Sequence, residues 1–164
     1  MDRLWSPWRY DYIKSGSTGK ENDPQSCVFC ALLQDSADNE GNFILHRAAH
    51  NFVVLNLYPY ISGHLLIVPF AHQADLSSLP KEASDELMDL TKHCQSILRD
   101  VYRPHGFNLG MNLGAAAGAG VAGHLHLHLM PRWFGDTNFM TTVGESRVLS
   151  EELTTTYNKL RERF

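Results

Sequence analysis

Three histidines stand two residues apart in Gly123-His124-Leu125-His126-Leu127-His128-Leu129-Met130-Pro131-Arg132, each followed by a leucine. Imidazole is a nucleophile, a proton carrier and a metal ligand at neutral pH. Strand side chains alternate between two faces. As a strand, this segment places His124, His126 and His128 in one row and turns Leu125, Leu127 and Leu129 into a core. A helix would scatter the imidazoles around its surface. The preceding stretch, Asn112 to Gly123, is almost without bulk: Gly114, Gly118, Gly120 and Gly123 are interspersed with alanines. Such a loop lets backbone N–H groups approach an anion closely, whereas a flexible linker is richer in serine and charge. A nucleophile row joined directly to an anion-binding loop points to phosphoryl or nucleotidyl transfer.

Cys27-Val28-Phe29-Cys30 is a second group with chemical potential. A Cys-x-x-Cys pair supplies half of a closed tetrahedral zinc site and needs two further ligands. His72, in Val68-Pro69-Phe70-Ala71-His72, and His124 are candidates. The other reading is a reduced, metal-free thiol pair in the core. Three cysteines are too few for a disulfide framework. Cys94 lies in a helical pattern and reads as a small buried apolar residue. His46, His50, His93 and His105 read as surface or loop residues.

The elements that must position these groups follow from hydropathy. At 164 residues, with 43% apolar and 20% charged residues, the chain reads as one soluble globular domain. A net charge of −4 gives no global pull toward nucleic acid or an anionic membrane. No signal-peptide pattern or membrane-length apolar run occurs, so a cytoplasmic location is expected. Residues 1–26 read as an aromatic arm, Arg3 to Ile13, followed by a polar loop. Residues 27–140 form the main domain, and 141–164 a C-terminal extension of it. Strands are expected at Asn42–Arg47, Asn51–Leu57, Gly63–Pro69, Phe107–Leu113 and Gly123–Met130. The first three are closely spaced, as in an antiparallel meander. Leu87, Leu90, Cys94, Ile97, Leu98 and Val101 recur at helical spacing from about Pro80 until Pro104 and Gly106 stop the helix. Ser150, then Glu151 and Glu152, read as the N-cap and acidic first turn of a last helix running to about Arg163.

The row His124-x-His126-x-His128, together with Asn56, Gly63-His64-Leu65-Leu66-Ile67-Val68-Pro69 and Asn112 before the glycine-rich loop, resembles the histidine triad (HIT) superfamily over roughly Cys27 to Asp136. Asn56-Leu57-Tyr58-Pro59-Tyr60, Pro131 to Phe139 and the Trp-rich start look like its branch of diadenosine tetraphosphate phosphorylases. The resemblance implies an α+β HIT-like fold: about five antiparallel strands, one long helix packed on them and a C-terminal helix. It implies a homodimer and a dinucleoside polyphosphate substrate. His126 would attack the α-phosphate and form a nucleotidyl-histidine intermediate, from which inorganic phosphate is expected to take the nucleotidyl group, as in an ATP adenylyltransferase. His128 would donate to phosphate oxygens, and His64 would orient the triad from behind or serve as a structural histidine. Asn56 would hold ribose hydroxyls. Asn112 and the backbone of Gly118, Ala119 and Gly120 would grip the phosphates. Zinc-bearing members imply a structural zinc on Cys27, Cys30, His72 and His124. One departure bears on the accepting group: Ala115 to Ala119 lacks the Ser, Thr or Gln that many members place there to contact phosphate. A hydrolase of the same substrates or of nucleoside phosphoramidates, and a nucleotide-binding sensor with little turnover, are the alternative expectations.

Overall fold

The computed structural model describes residues 23–34, 39–144 and 149–164. The aromatic arm expected at Arg3 to Ile13, most of the polar loop after it and part of the insert after Gln34 lie outside the described residues. Five strands form one sheet: β1 (Ile44–Arg47), β2 (Asn51–Leu55), β3 (Leu65–Pro69), β4 (Gly106–Met111) and β5 (Leu127–Arg132). Their spatial order is β1-β2-β3-β5-β4, antiparallel throughout. The meander holds for β1 to β3. The chain then crosses the sheet through the long helix, lays down β4 as an edge, and returns β5 into the gap beside β3.

That helix is α2 (Lys81–Tyr102); the short α1 (Val28–Leu32) precedes the sheet, and α3 (Phe139–Thr142) and α4 (Leu153–Arg161) follow it. The expected apolar stripe of α2 is its inner face: Leu87, Leu90, Cys94, Ile97 and Leu98 are buried, and Val101 packs against the same core. Arg103, with φ +46°, ends the helix in the left-handed region, and Pro104 prevents its continuation. Glu86 on α2 accepts from the Ala49 and His50 amides and the Asn51 side chain, which pins the β1–β2 turn to the helix.

Leu125, Leu127 and Leu129 are each 2% exposed in this core, and burying each contributes roughly 2 kcal/mol. The strand itself begins four residues later than the alternation suggests, at Leu127 rather than Gly123. Pairing with β3 reaches only from Leu127 to Leu129. Upstream, backbone groups have other partners: Leu125 N–H donates to the Gln73 carbonyl, and the His124 carbonyl accepts from a side chain. The last helix also differs in its start. Glu152 is the N-cap and makes no side-chain cap bond. Glu151 turns inward instead, accepting from Tyr102 Oη, Thr156 Oγ1 and Lys159 Nζ. No helix among the described residues is long and apolar enough to cross a membrane.

Gly63 turns the chain into β3 with φ +77°, and a Cβ there would sit 3.2 Å from Pro131 Cγ and 3.3 Å from both Leu98 and Tyr102 side chains. Gly63→Ala therefore combines left-handed strain with crowding. Urea unfolding should register a loss of about 1–3 kcal/mol; an unchanged midpoint would refute the packing described for this turn.

Candidate active site and metal cluster

His126 is 5% exposed, and its Nδ1 lies 2.8 Å from the carbonyl oxygen of His124. A carbonyl only accepts, so the ring must carry its proton on Nδ1. The Nε2 lone pair is then available. Burial lowers the His126 pKa, with the His124 hydrogen bond opposing that shift. The ring is thus held neutral in the one tautomer that leaves Nε2 nucleophilic.

A second chain of bonds fixes His128. The Tyr60 amide donates to His64 Nδ1 at 3.2 Å. His64 must then carry its proton on Nε2, which lies 2.9 Å from His128 Nδ1. That donation leaves neutral His128 with its own proton on Nε2. The result is complementary: His126 offers a lone pair and His128 an N–H, with ring centroids 4.9 Å apart. Burial, with His128 and His126 alongside, pushes the His64 imidazole down to about 3, so it stays neutral. Asn56 supports the same chain, accepting from Tyr58 N–H at 2.9 Å and placing Nδ2 3.3 Å from His64 Nδ1.

His126 and His128 open onto a cleft whose walls include Val28, Phe29, Leu32, Val54, Leu66 and Val121. Asn56, Asn112, Gly118 and Gly120 also border it. Asn112 Nδ2 donates to the Gly118 carbonyl at 3.3 Å and holds the loop shut on itself. The amides of Gly118 and Ala119 bond to Ala115 and Gly114 carbonyls within the loop. Ala119 is not among the residues that line the cleft.

Behind the cleft, ligand atoms of Cys27, Cys30, His72 and His124 all lie within 4.8 Å of one another and could hold a metal ion. Sulfur–nitrogen separations are 3.3 Å for Cys27–His124, 3.4 Å for Cys30–His72 and 3.7 Å for Cys30–His124. A tetrahedral ion with ordinary thiolate and imidazole bond lengths sets such edges at about 3.6 Å. His124 Nε2 donates to the Pro69 carbonyl at 2.9 Å, which leaves Nδ1, the atom facing the sulfurs, unprotonated. Burial and the neighbouring Cys27 push the Cys30 thiol up to about 11. Cys30 therefore becomes a thiolate at neutral pH only with a cation beside it. The donor set fits a metal. Phe29, between the two cysteines, packs on His124 and His126 with centroids 5.4 and 5.1 Å away.

The HIT domain family matches residues 38–135. An AP-4-A phosphorylase of Mycobacterium tuberculosis is 40% identical over 157 residues, covering 93% of this chain and 79% of that protein. The chain belongs to the HIT domain family. An adenosine 5′-monophosphoramidase of Candida albicans is 27% identical over 111 residues, 65% of this chain and 70% of that one. Among solved structures, a zinc-bound histidine triad family protein from Mycobacterium smegmatis superposes with TM-score 0.68 at 26% identity, covering 85% of this chain and 94% of that one.

Within this HIT fold the residues named from sequence fall into two adjoining groups: His126, His128, Asn56, Asn112, Gly118 and Gly120 around the cleft, with His64 buried against His128, and the four side chains that could hold a metal. Three contributors carried no signal in residue type. The Tyr60 amide and the Pro69 carbonyl act through main chain. Phe29, within the Cys-x-x-Cys segment, was not singled out from the sequence. Among the remaining histidines, His46 is half-buried in β1 and stacks on Phe164, while His50, His93 and His105 are exposed.

Two measurements test this geometry. Elemental analysis should find one metal ion per chain, lost in Cys27→Ser with a melting temperature lower on the order of 10 °C; unchanged metal content would refute the donor set. The second concerns pH. Unfolded His64 takes a proton below its ordinary value of 6.5, whereas folded His64 resists until about 3. Its contribution to stability is therefore lost as pH falls across that window. Between pH 6 and 4 the wild type should lose roughly 1 kcal/mol per pH unit more than His64→Gln in urea titrations. Parallel curves would mean that folded His64 is charged.

Proposed function

We propose that this chain is a nucleotidyl-transferring HIT enzyme that cleaves dinucleoside polyphosphates of the diadenosine tetraphosphate type. The single observation that carries the reading is the paired tautomer arrangement, an Nε2 lone pair on His126 beside an Nε2–H on His128. His126 Nε2 attacks the α-phosphorus. The bond from phosphorus to the bridging oxygen breaks, and the departing nucleotide keeps the electron pair as a phosphate oxyanion. His128 hydrogen-bonds that oxygen as charge develops. Asn112 and the Gly118–Gly120 backbone flank the phosphates, and the apolar wall from Val28 to Leu32 receives the base. Asn56 serves His64 through its amide in addition to facing the ribose. In the second step an oxygen of inorganic phosphate attacks the same phosphorus, the P–N bond breaks, and its electrons return to Nε2.

Phosphorolysis is favoured by the likeness to the AP-4-A phosphorylase across nearly the whole chain. Zinc is the proposed ion at Cys27, Cys30, His72 and His124, supported by the sulfur–nitrogen spacing and the zinc-bound relative. It would tie α1 to the catalytic segment and take no part in bond breaking. Two copies would join along the outer side of β4, where Asn108, Leu109 and Gly110 are exposed. A hydrolase is the second reading, favoured by the alanines of residues 115–117, which bring no hydroxyl to a free phosphate.

Incubation with diadenosine tetraphosphate, followed by nucleotide separation, decides between them. ATP plus ADP, formed only with inorganic phosphate present, is the expected result. ATP plus AMP without phosphate would establish the hydrolase. His126→Ala should lose at least 1,000-fold in turnover while retaining nucleotide binding; full activity in that variant would remove His126 from the nucleophile's role.

A further inference from the structure

A second pocket, of about 330 Å³, adjoins the histidine cleft and shares Tyr60 with it. The Tyr60 ring lies nearly parallel to His128, with centroids 6.2 Å apart and an interplanar angle of 16°. The new pocket therefore begins beside His128, which in the reading above contacts the departing oxygen. Its lining has a consistent chemistry. Tyr102 and Trp133 meet at 80° with centroids 6.3 Å apart. The Trp133 indole N–H is already bonded to the Tyr102 carbonyl, so the residue offers ring surface to a ligand. Ser62 and Ser150 bring their hydroxyls to within 3.4 Å of each other at the rim.

Charge decides which part of a substrate belongs there. Asp136 and Glu151 line the pocket, and no lysine, arginine or histidine does among the described residues. Asp136 is held by a two-pronged Arg132 contact at 2.6 and 2.8 Å. Glu151 is occupied by Lys159 and Tyr102. A phosphate would meet carboxylate oxygens, while Arg132 and Lys159 are engaged by those carboxylates and do not line the pocket. An uncharged aromatic base on a hydroxylated sugar would meet ring faces, serine hydroxyls and acceptors for its N–H and O–H groups.

We propose that this pocket, reached past Tyr60, binds the nucleoside of the departing nucleotide, so that the two ends of a dinucleoside polyphosphate occupy separate pockets on either side of His126 and His128. This rests on the dinucleoside polyphosphate reading above. It also gives the site a physical basis for preferring two-ended substrates, because a phosphate chain ending without a nucleoside leaves the second pocket empty.

The test compares diadenosine tetraphosphate with adenosine 5′-tetraphosphate, which has the same phosphate chain and no second nucleoside. Both are titrated calorimetrically into the full-length His126→Ala protein, which does not turn them over. The dinucleotide should bind at least ten times more tightly. Ser150→Trp, added at an exposed rim position, fills the pocket and should bring that ratio to about one, whereas Ser150→Ala should preserve most of it. Equal affinity for the two ligands before the filling change overturns the second pocket, and so does a ratio that survives Ser150→Trp. Either result leaves the catalytic reading intact if the product assay still yields ATP and ADP. A protein that binds neither nucleotide overturns both.

Discussion

The His124 carbonyl accepts one hydrogen bond from the ring two residues ahead of it, and the chemistry of the site depends on that contact. Because a carbonyl oxygen has no proton to give, the His126 imidazole has no choice of tautomer. A side-chain acceptor such as a carboxylate could do the same while adding charge. The main-chain group orients the ring without charging it, and burial keeps the ring neutral. His128 reaches the opposite proton arrangement by the same logic, starting from the Tyr60 amide and passing through His64. Two identical side chains two residues apart thus present a lone pair and an N–H because one chain of bonds begins at a C=O and the other at an N–H.

His124 joins this arrangement to the metal cluster. Its carbonyl orients His126, its Nε2 is fixed by Pro69, and its Nδ1 faces the Cys27 and Cys30 sulfurs. One residue therefore orients the His126 ring through its main chain and offers its own ring to the cluster that could hold a metal. Phe29 repeats the connection from α1, packing on both His124 and His126. Holding the cysteine pair also holds the apolar wall on which the nucleotide base would rest, since Val28, Phe29 and Leu32 belong to that helix.

The alternation of leucine and histidine made the buried face of the central strand legible, and the helical spacing from Leu87 to Val101 marked the inner face of α2. The start of β5 was not legible, because whether a residue counts as strand depends on which backbone groups its neighbours leave free. At His124 to His126 those groups are bonded to Gln73 and to a ring nitrogen. The N-cap at Ser150 failed for a related reason: Glu151 finds partly buried partners on Tyr102 and Thr156 that outweigh a place in an exposed first turn. The chemically distinctive residues of the site were visible as types at fixed spacing. The tautomers were not, because they are set by main-chain atoms of Tyr60, Pro69 and His124 that any residue could supply.

The order β1-β2-β3-β5-β4 has a consequence for how the protein comes to have an active site at all. The catalytic strand is the last of the five in the chain, yet it sits between two others and needs both edges filled. Its pairing with β3 spans about sixty residues, with all of α2 in the connection, which makes it the pairing of greatest sequence separation in the sheet. The cleft onto which His126 opens is therefore walled by segments far apart in the chain, with Val28 and Phe29 from α1, Val54 from β2 and Leu66 from β3 all meeting beside it.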